Sequence, residues 1–204
     1  MTERFVLATA NADKADEISA ILEAAGLDAE LASRPGDVPP VAETGVTLED
    51  NARLKATALC AATGTPAIAD DTGLEVDALD CAPGVESARF AGEDASYVDN
   101  YTKLIDALDG MPLESRGARF VTVAVARWPD GVDVAAIGSV EGVITDAPRG
   151  VQGFGYDPVF VPLEGDGRTF AEMSADEKHE CSHRGEAFRT LALALRAIAE
   201  AEDR

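Results

Sequence analysis

GARFVTVAVARWPDGVDVAAIGSVEGVI, residues 117–144, decides the fold class. Residues 117–128 form the longest strand signal in the chain, rich in β-branched and aromatic side chains. Pro129-Asp130-Gly131 then supplies turn chemistry, and a second strand is expected over about residues 132–144. The pair reads as a long antiparallel hairpin. What precedes it alternates instead. Phe5-Val6-Leu7-Ala8 reads as a short buried strand, and Asn11 can cap a helix over about residues 12–25, with Ile18, Ile21 and Leu22 on one face and Gly26 after it. A weak strand over 27–31, a Pro/Gly-rich loop over 34–45, a helix from Thr47 to about Thr63 and a strand over 66–69 follow. A helix over about 96–108, a short strand at 159–161 and a C-terminal helix over about 185–200 complete the reading, the last with Phe188, Leu191, Leu195 and Ile198 on one stripe. Early alternation followed by a hairpin favours a mixed α/β sheet over a purely parallel one.

The 204 residues suit a single domain, 1–204, with room for two lobes, and 46% hydrophobic residues can fill a sizeable core. No stretch approaches the roughly 20 apolar residues of a membrane span. The start, Met1-Thr2-Glu3-Arg4-Phe5, lacks the basic-then-apolar pattern of a signal peptide, so the cytoplasm is the expected location. Three widely spaced cysteines, Cys60, Cys81 and Cys181, form no Cys-x-x-Cys pair and suit a reducing compartment.

The balance of 38 acidic against 17 basic residues gives a net charge of −21. Such a charge repels nucleic acid and anionic membranes, so neither is an expected partner. It also opposes compaction in dilute buffer. At ~1 M salt the Debye length is about 3 Å and most of that repulsion is screened. Only four lysines are present, Lys14, Lys55, Lys103 and Lys178. Low lysine with high acidic and alanine content points to a halophilic, salt-rich cytoplasm.

Four segments can carry chemistry. In LATANADK, residues 7–14, a strand runs through a tight loop into a helix start, a seat for phosphate with Thr9, Asn11 and Lys14 nearby; the same pattern also fits a capped helix with a solvated lysine. Glu43, Asp70 and Asp71 are hard oxygen donors of the kind Mg²⁺ takes together with substrate phosphates. Thr72-Gly73 reads as a turn ending the strand that carries the two aspartates, one of which could equally cap that turn. Strand alternation points Asp70 and Asp71 in different directions. In GFGYDP, residues 153–158, glycines flank Phe154, so its ring can stack on a base or fold into the core with Tyr156. KHECSHRG, residues 178–185, gathers donors for an anion or a base edge; it also fits a helix start capped by Ser182. His179, Cys181 and His183 lack the second ligand cluster that a zinc site needs.

Taken in order, these segments resemble the inosine triphosphate pyrophosphatase family, the non-canonical purine NTP pyrophosphatases. The resemblance rests on Thr9-x-Asn11-x-x-Lys14, Glu43-Thr44-Gly45, Glu49-Asp50-Asn51-Ala52 with Lys55-Ala56, and Ala69-Asp70-Asp71-Thr72-Gly73-Leu74. It continues through Pro83-Gly84-Val85 with Ser87-Ala88-Arg89, Gly153-Phe154-Gly155-Tyr156-Asp157-Pro158 and Ser182-His183-Arg184-Gly185. It implies an elongated, two-lobed α/β fold around a long mixed sheet with helices on both sides. The active site would lie in the cleft between the lobes, and the protein would be a homodimer. The implied reaction is Mg²⁺-dependent hydrolysis of ITP, dITP or XTP to the monophosphate and pyrophosphate. Thr9, Ala10, Asn11, Ala12, Asp13 and Lys14 would cradle the triphosphate. Glu43 and Asp71 would hold Mg²⁺, Asp71 would accept the proton of the attacking water, and Thr72 would touch substrate. Asp70 would support the metal site from behind. Phe154 would stack on the purine, with Gly155, Tyr156, Asp157, Lys178, His183 and Arg184 around base and phosphates. Two positions depart from the family pattern: Ala10 stands where glycine is common, and Thr72 where serine is common. A pyrophosphatase for canonical or modified pyrimidine nucleotides, and a nucleotide sensor without turnover, are the alternative readings.

Overall fold

The computed structural model describes residues 3–202; Met1 and Thr2, part of the N-terminal reading above, lie outside the described residues. The elements are β1 (Glu3–Leu7), α1 (Ala12–Ala24), β2 (Ala29–Ala32), α2 (Leu48–Thr63), β3 (Ala67–Val76), β4 (Pro83–Gly84), α3 (Tyr97–Ala107), β5 (Gly117–Arg127), β6 (Asp133–Ile144), β7 (Phe160–Pro162), α4 (Ala175–Cys181) and α5 (His183–Glu202). Side-chain caps set the helix starts. Asn11 accepts from the amides of Asp13 and Lys14, and Thr47, Ser96 and Ser174 each form a capping box with an acidic residue three positions on. Gly64, in the left-handed region at φ 64°, closes α2 through Cys60 O.

One seven-stranded sheet runs β2-β1-β3-β5-β6-β7, with β4 paired to β3. β1 is parallel to both β2 and β3, with Phe5 opposite Leu31 and Val6 opposite Ala67. β3 and β4 are antiparallel, as are β6 and β7. The connection from β5 to β6 is a turn in which Trp128 N donates to Val132 O at 2.9 Å. So short a link permits only antiparallel pairing. The mixed α/β sheet expected from the hairpin and the early alternation is therefore present.

The chain forms two compact units. The first comprises Met1–Asp71, Thr122–Gly138 and Arg184–Arg204. Its core joins Phe5 and Leu7 of β1, Ile18, Ile21 and Leu22 of α1, and Phe188, Leu191 and Leu195 of α5. Ile198, on the expected stripe, is only half-buried. The second comprises Thr72–Val121 and Ser139–His183, with Leu74, Val76, Leu104, Phe120, Phe160 and Phe170 in its core.

Two expectations are corrected. Thr72-Gly73 is not a turn: β3 continues through both residues to Val76. Leu74 and Val76 are fully buried, Leu74 N donates to Ser87 Oγ at 2.8 Å, and β4 pairs with Leu74 and Glu75, so continued burial and pairing outweigh the local turn propensity. The donor-rich segment 178–185 is not a single helix start: Lys178 and His179 lie in a helix of their own, α4, capped by Ser174 and Glu177, and Ser182 stands between it and α5.

Candidate active site

In the first unit, α1, α2, β3 and the first residues of α5 supply one cluster of charge. Asp70 and Asp71 are only 3% and 6% exposed, yet each faces its own partners, as alternation along β3 requires. Asp70 Oδ2 lies 3.3 Å from Lys14 Nζ and 3.6 Å from an Arg184 nitrogen. Arg184 also pairs with Glu17 of α1 at 2.6 Å. Asp71 Oδ1 accepts from Lys55 Nζ at 3.0 Å, and its Oδ2 accepts from Asn51 Nδ2 at 3.1 Å. The same Lys55 Nζ donates to Glu43 Oε1 at 3.1 Å, so Glu43 and Asp71 converge on one cationic nitrogen.

The electrostatics separate the two aspartates. Burial alone would raise both. Around Asp70, Lys14, Arg184 and Lys55 outweigh it and hold the carboxyl well below the usual range. At Asp71 burial, together with the Glu43 charge, prevails over Lys55, and the carboxyl is pushed up. Burial works against the Lys55 charge, but Asp71, Asp70 and Glu43 together hold its pKa above the ordinary lysine value. Burial prevails at Lys14, whose pKa is lowered, with Arg184 and Lys55 adding to the effect against Asp70.

The loop before α1 is organised by its own side chains. Thr9 Oγ1 accepts from Asn11 N at 3.1 Å, and Asn11 Oδ1 accepts from Asp13 N at 2.9 Å and Lys14 N at 3.3 Å. Two amides expected to face phosphate are thus engaged by the cap, while Ala10, Ala12 and Asp13 are exposed.

In the second unit the 153–157 loop and α4 build a different surface. Gly153 and Gly155 both have positive φ, 68° and 64°. A Cβ on Gly153 would strike the Asp157 carboxylate, so only glycine fits there. Asp157 Oδ2 accepts from Phe154 N at 2.8 Å and pairs with Lys178 Nζ at 2.6 Å, a fully buried ion pair that ties the loop to α4. Lys178 Nζ sits 4.9 Å from the Phe154 ring centroid. Phe154 itself is half-buried, and the Tyr97 ring lies against it, centroids 5.9 Å apart at 36°. Tyr156 lies in the core, its hydroxyl donating to Ser87 O at 2.8 Å, and burial raises its pKa. His183 is buried and stacks on Phe120 at 4.4 Å and 13°. Thr72 is half-buried on β3. His179, Cys181 and His183 do not converge: among the described residues no group of three or more His, Cys, Asp or Glu side chains could hold a metal ion.

Asn51, Lys55, Glu17 and Tyr97 were not among the expected site residues. Asn51 and Lys55 are one turn apart on α2, in a helix face otherwise lined by Ala52, Ala56 and Leu59. Both stand in the stretch quoted above for the family resemblance, and two polar residues interrupting an apolar stripe at that spacing were a further, local signal. Nothing local marked Glu17 or Tyr97.

The sequence model of the Ham1 family matches residues 5–194. A protein of Streptomyces avermitilis named dITP/XTP pyrophosphatase is 47% identical over 197 residues, covering 96% of this chain and 98% of its own. One from Escherichia coli O157:H7 with the same name is 46% identical, with 95% and 98% covered. Among solved structures, a HAM1 protein from Coxiella burnetii superposes with a TM-score of 0.86 at 36% identity, covering 96% of this chain and all of that one. A nucleoside-triphosphatase from Mycobacterium abscessus, also titled dITP/XTP pyrophosphatase, superposes with a TM-score of 0.72 at 42% identity, covering 96% and 99%. With the match spanning both units and every segment described above, the chain belongs to the Ham1 family.

Proposed function

We propose that this protein hydrolyses non-canonical purine nucleoside triphosphates, ITP, dITP and XTP, to the monophosphate and pyrophosphate. The observation that carries the reading is the convergence of Glu43 and Asp71 on a single cationic nitrogen beside the Lys14 and Arg184 cations. Three of the four lysines of a −21 chain stand in the two clusters just described. That distribution suits a polyanionic substrate. The relatives named dITP/XTP pyrophosphatase support the substrate class.

The donor set fits Mg²⁺. Two carboxylates aimed at one point supply hard oxygens, and Mg²⁺ ordinarily takes only one or two protein carboxylates, the rest coming from water and phosphate. Glu43 and Asp71 would hold it. When bound, the metal supplies positive charge against the phosphoryl oxygens. Lys14 and the loop at the start of α1 bind the triphosphate, with the buried Arg184 charge behind them. Asp71 takes the proton of the attacking water. Asp70, held ionised between Lys14 and Arg184, positions both cations.

At the second cluster Phe154 stacks on the base, with Lys178 and His183 nearby. Donors aimed at a 6-keto oxygen accept hypoxanthine and xanthine and are opposed by the 6-amino group of adenine, a mismatch that discriminates strongly. A homodimer, a cytoplasmic location and a need for high salt belong to the same proposal. No helix among the described residues is long and apolar enough to cross a membrane.

The test is pyrophosphate release from ITP, XTP, dITP, GTP, ATP and dTTP with Mg²⁺ in concentrated KCl. Turnover selective for ITP, dITP and XTP is expected. Preference for dTTP or ATP would overturn the substrate assignment, and binding without pyrophosphate release would make the protein a sensor.

A further inference from the structure

Asn51 is fully buried on α2, and both ends of its amide are engaged. Oδ1 accepts from Gly45 N at 2.8 Å, and Nδ2 donates to Asp71 Oδ2 at 3.1 Å. Gly45 N can only donate, so it decides which end of the amide carries oxygen, and the NH₂ must face Asp71. Asp71 is thereby held at both oxygens, by Lys55 on Oδ1 and by Asn51 on Oδ2. One donor alone would leave the carboxylate free to turn about its Cβ–Cγ bond; two donors on opposite oxygens fix its plane. The backbone of Gly45 approaches so closely that an added Cβ would lie 2.5 Å from Asp50 Cβ and 2.7 Å from Asn51 Oδ1. Gly45 is two residues from Glu43, so the same amide anchors the segment carrying the second carboxylate.

We propose that Asn51 is a positioning residue that sets the plane of the Asp71 carboxylate and holds the Glu43 segment beside it. This inference rests on the reading of Asp71 and Glu43 given above. Groups that orient a metal-binding or catalytic carboxylate typically account for about 10–100-fold in metal affinity or activity. Asn51 hydrogen-bonds Gly45 and Asp71, which belong to neither the proposed phosphate loop nor the Phe154 surface, so at saturating Mg²⁺ the effect belongs in kcat.

The experiment measures kcat and KM for ITP, thermal melting, and calorimetric binding of a non-hydrolysable ITP analogue, for the wild type, Asn51→Asp and Asn51→Ser. Asn51→Asp keeps an acceptor for Gly45 N but removes the donor to Asp71; Asn51→Ser is too short to keep both bonds. The expected result is a kcat fall of about 10–100-fold in each folded variant, with KM and analogue affinity within about threefold of the wild type. A folded variant that keeps kcat within threefold overturns the inference, as does a loss carried by KM. Should Asn51→Asp fail to fold, Asn51→Ser decides by the same criteria. A wild type inert towards every nucleotide overturns the proposed function, and this inference with it, whereas an active wild type with unaffected variants overturns this inference alone.

Discussion

Asp70 and Asp71 are chemically identical neighbours made different by where β3 points them. Asp70 meets Lys14 and Arg184; Asp71 meets Lys55 and Asn51. The charge that makes two adjacent buried carboxylates tolerable is thus, in the first instance, the protein's own. Asp71→Asn is expected to abolish pyrophosphate release in a chain that still folds, with a lowered melting temperature because its NH₂ must face one of two donors, Lys55 or Asn51. Asp70→Asn is expected to lower stability by about 3 kcal/mol, since it removes the carboxylate facing the largely buried Lys14 and one of the two carboxylates facing Arg184, Glu17 remaining; a denaturant titration measures it. If Asp71→Asn stays active and Asp70→Asn does not, the roles are reversed. Tyr97 yields a third expectation. It is 43% exposed and lies against Phe154, so Tyr97→Ala should cost little stability but raise KM for ITP severalfold with kcat unchanged. Tyr97→Phe should restore the wild-type KM if the ring is what matters.

At the level of elements, α4 is the short helix that carries Lys178, and its start is held by charge. Glu177 accepts from Ser174 N at 2.8 Å and from both terminal nitrogens of Arg168 at 2.7 and 3.2 Å. Arg168 first, then the Ser174 amide and hydroxyl, hold the Glu177 carboxyl down to about 2. A carboxyl depressed in the folded state contributes stability that is fully present above its ordinary value of 4.5 and is lost as pH falls through about 2. The stability difference between wild type and Glu177→Gln should therefore be constant near neutrality and shrink between pH 4.5 and about 2, as read by melting curves across that range. Strand β3 shows why elements, not motifs, place residues. The stretch Asp70-Asp71-Thr72-Gly73 has turn composition, yet it sits mid-strand because Ala67–Ala69 before it and Leu74 and Val76 after it are buried.

For the whole molecule, net charge is the dominant quantity. With 38 acidic and 17 basic residues, folding must overcome self-repulsion that ~1 M salt reduces to a range of about 3 Å. Circular dichroism during dialysis from concentrated KCl into dilute buffer should show loss of folded structure, restored by adding salt back. Indifference to salt would mean that the internal pairs, such as Arg53 and Arg127 with Asp133, suffice without screening.

The starts of α1, α2 and α3, the apolar stripes of α1 and α5, the β5–β6 hairpin and the segments carrying the charged residues were legible in the chain, because each depends on neighbours within a few positions, whereas α4 and its Ser174 cap were not read. The mixed sheet followed from the order of those elements. Partner choice was not legible. Lys55 bridges residues 43 and 71, Arg184 joins Glu17 to Asp70, and Asn51 links Gly45 to Asp71, pairs separated by 6 to 167 residues along the chain. Most of these contacts exist only once α1, α2, α5 and β3 are packed together, and their strength depends on burial that no local pattern encodes. Local composition could name the ionisable groups, but which aspartate is held ionised and which is raised depends on charges and desolvation supplied by distant segments.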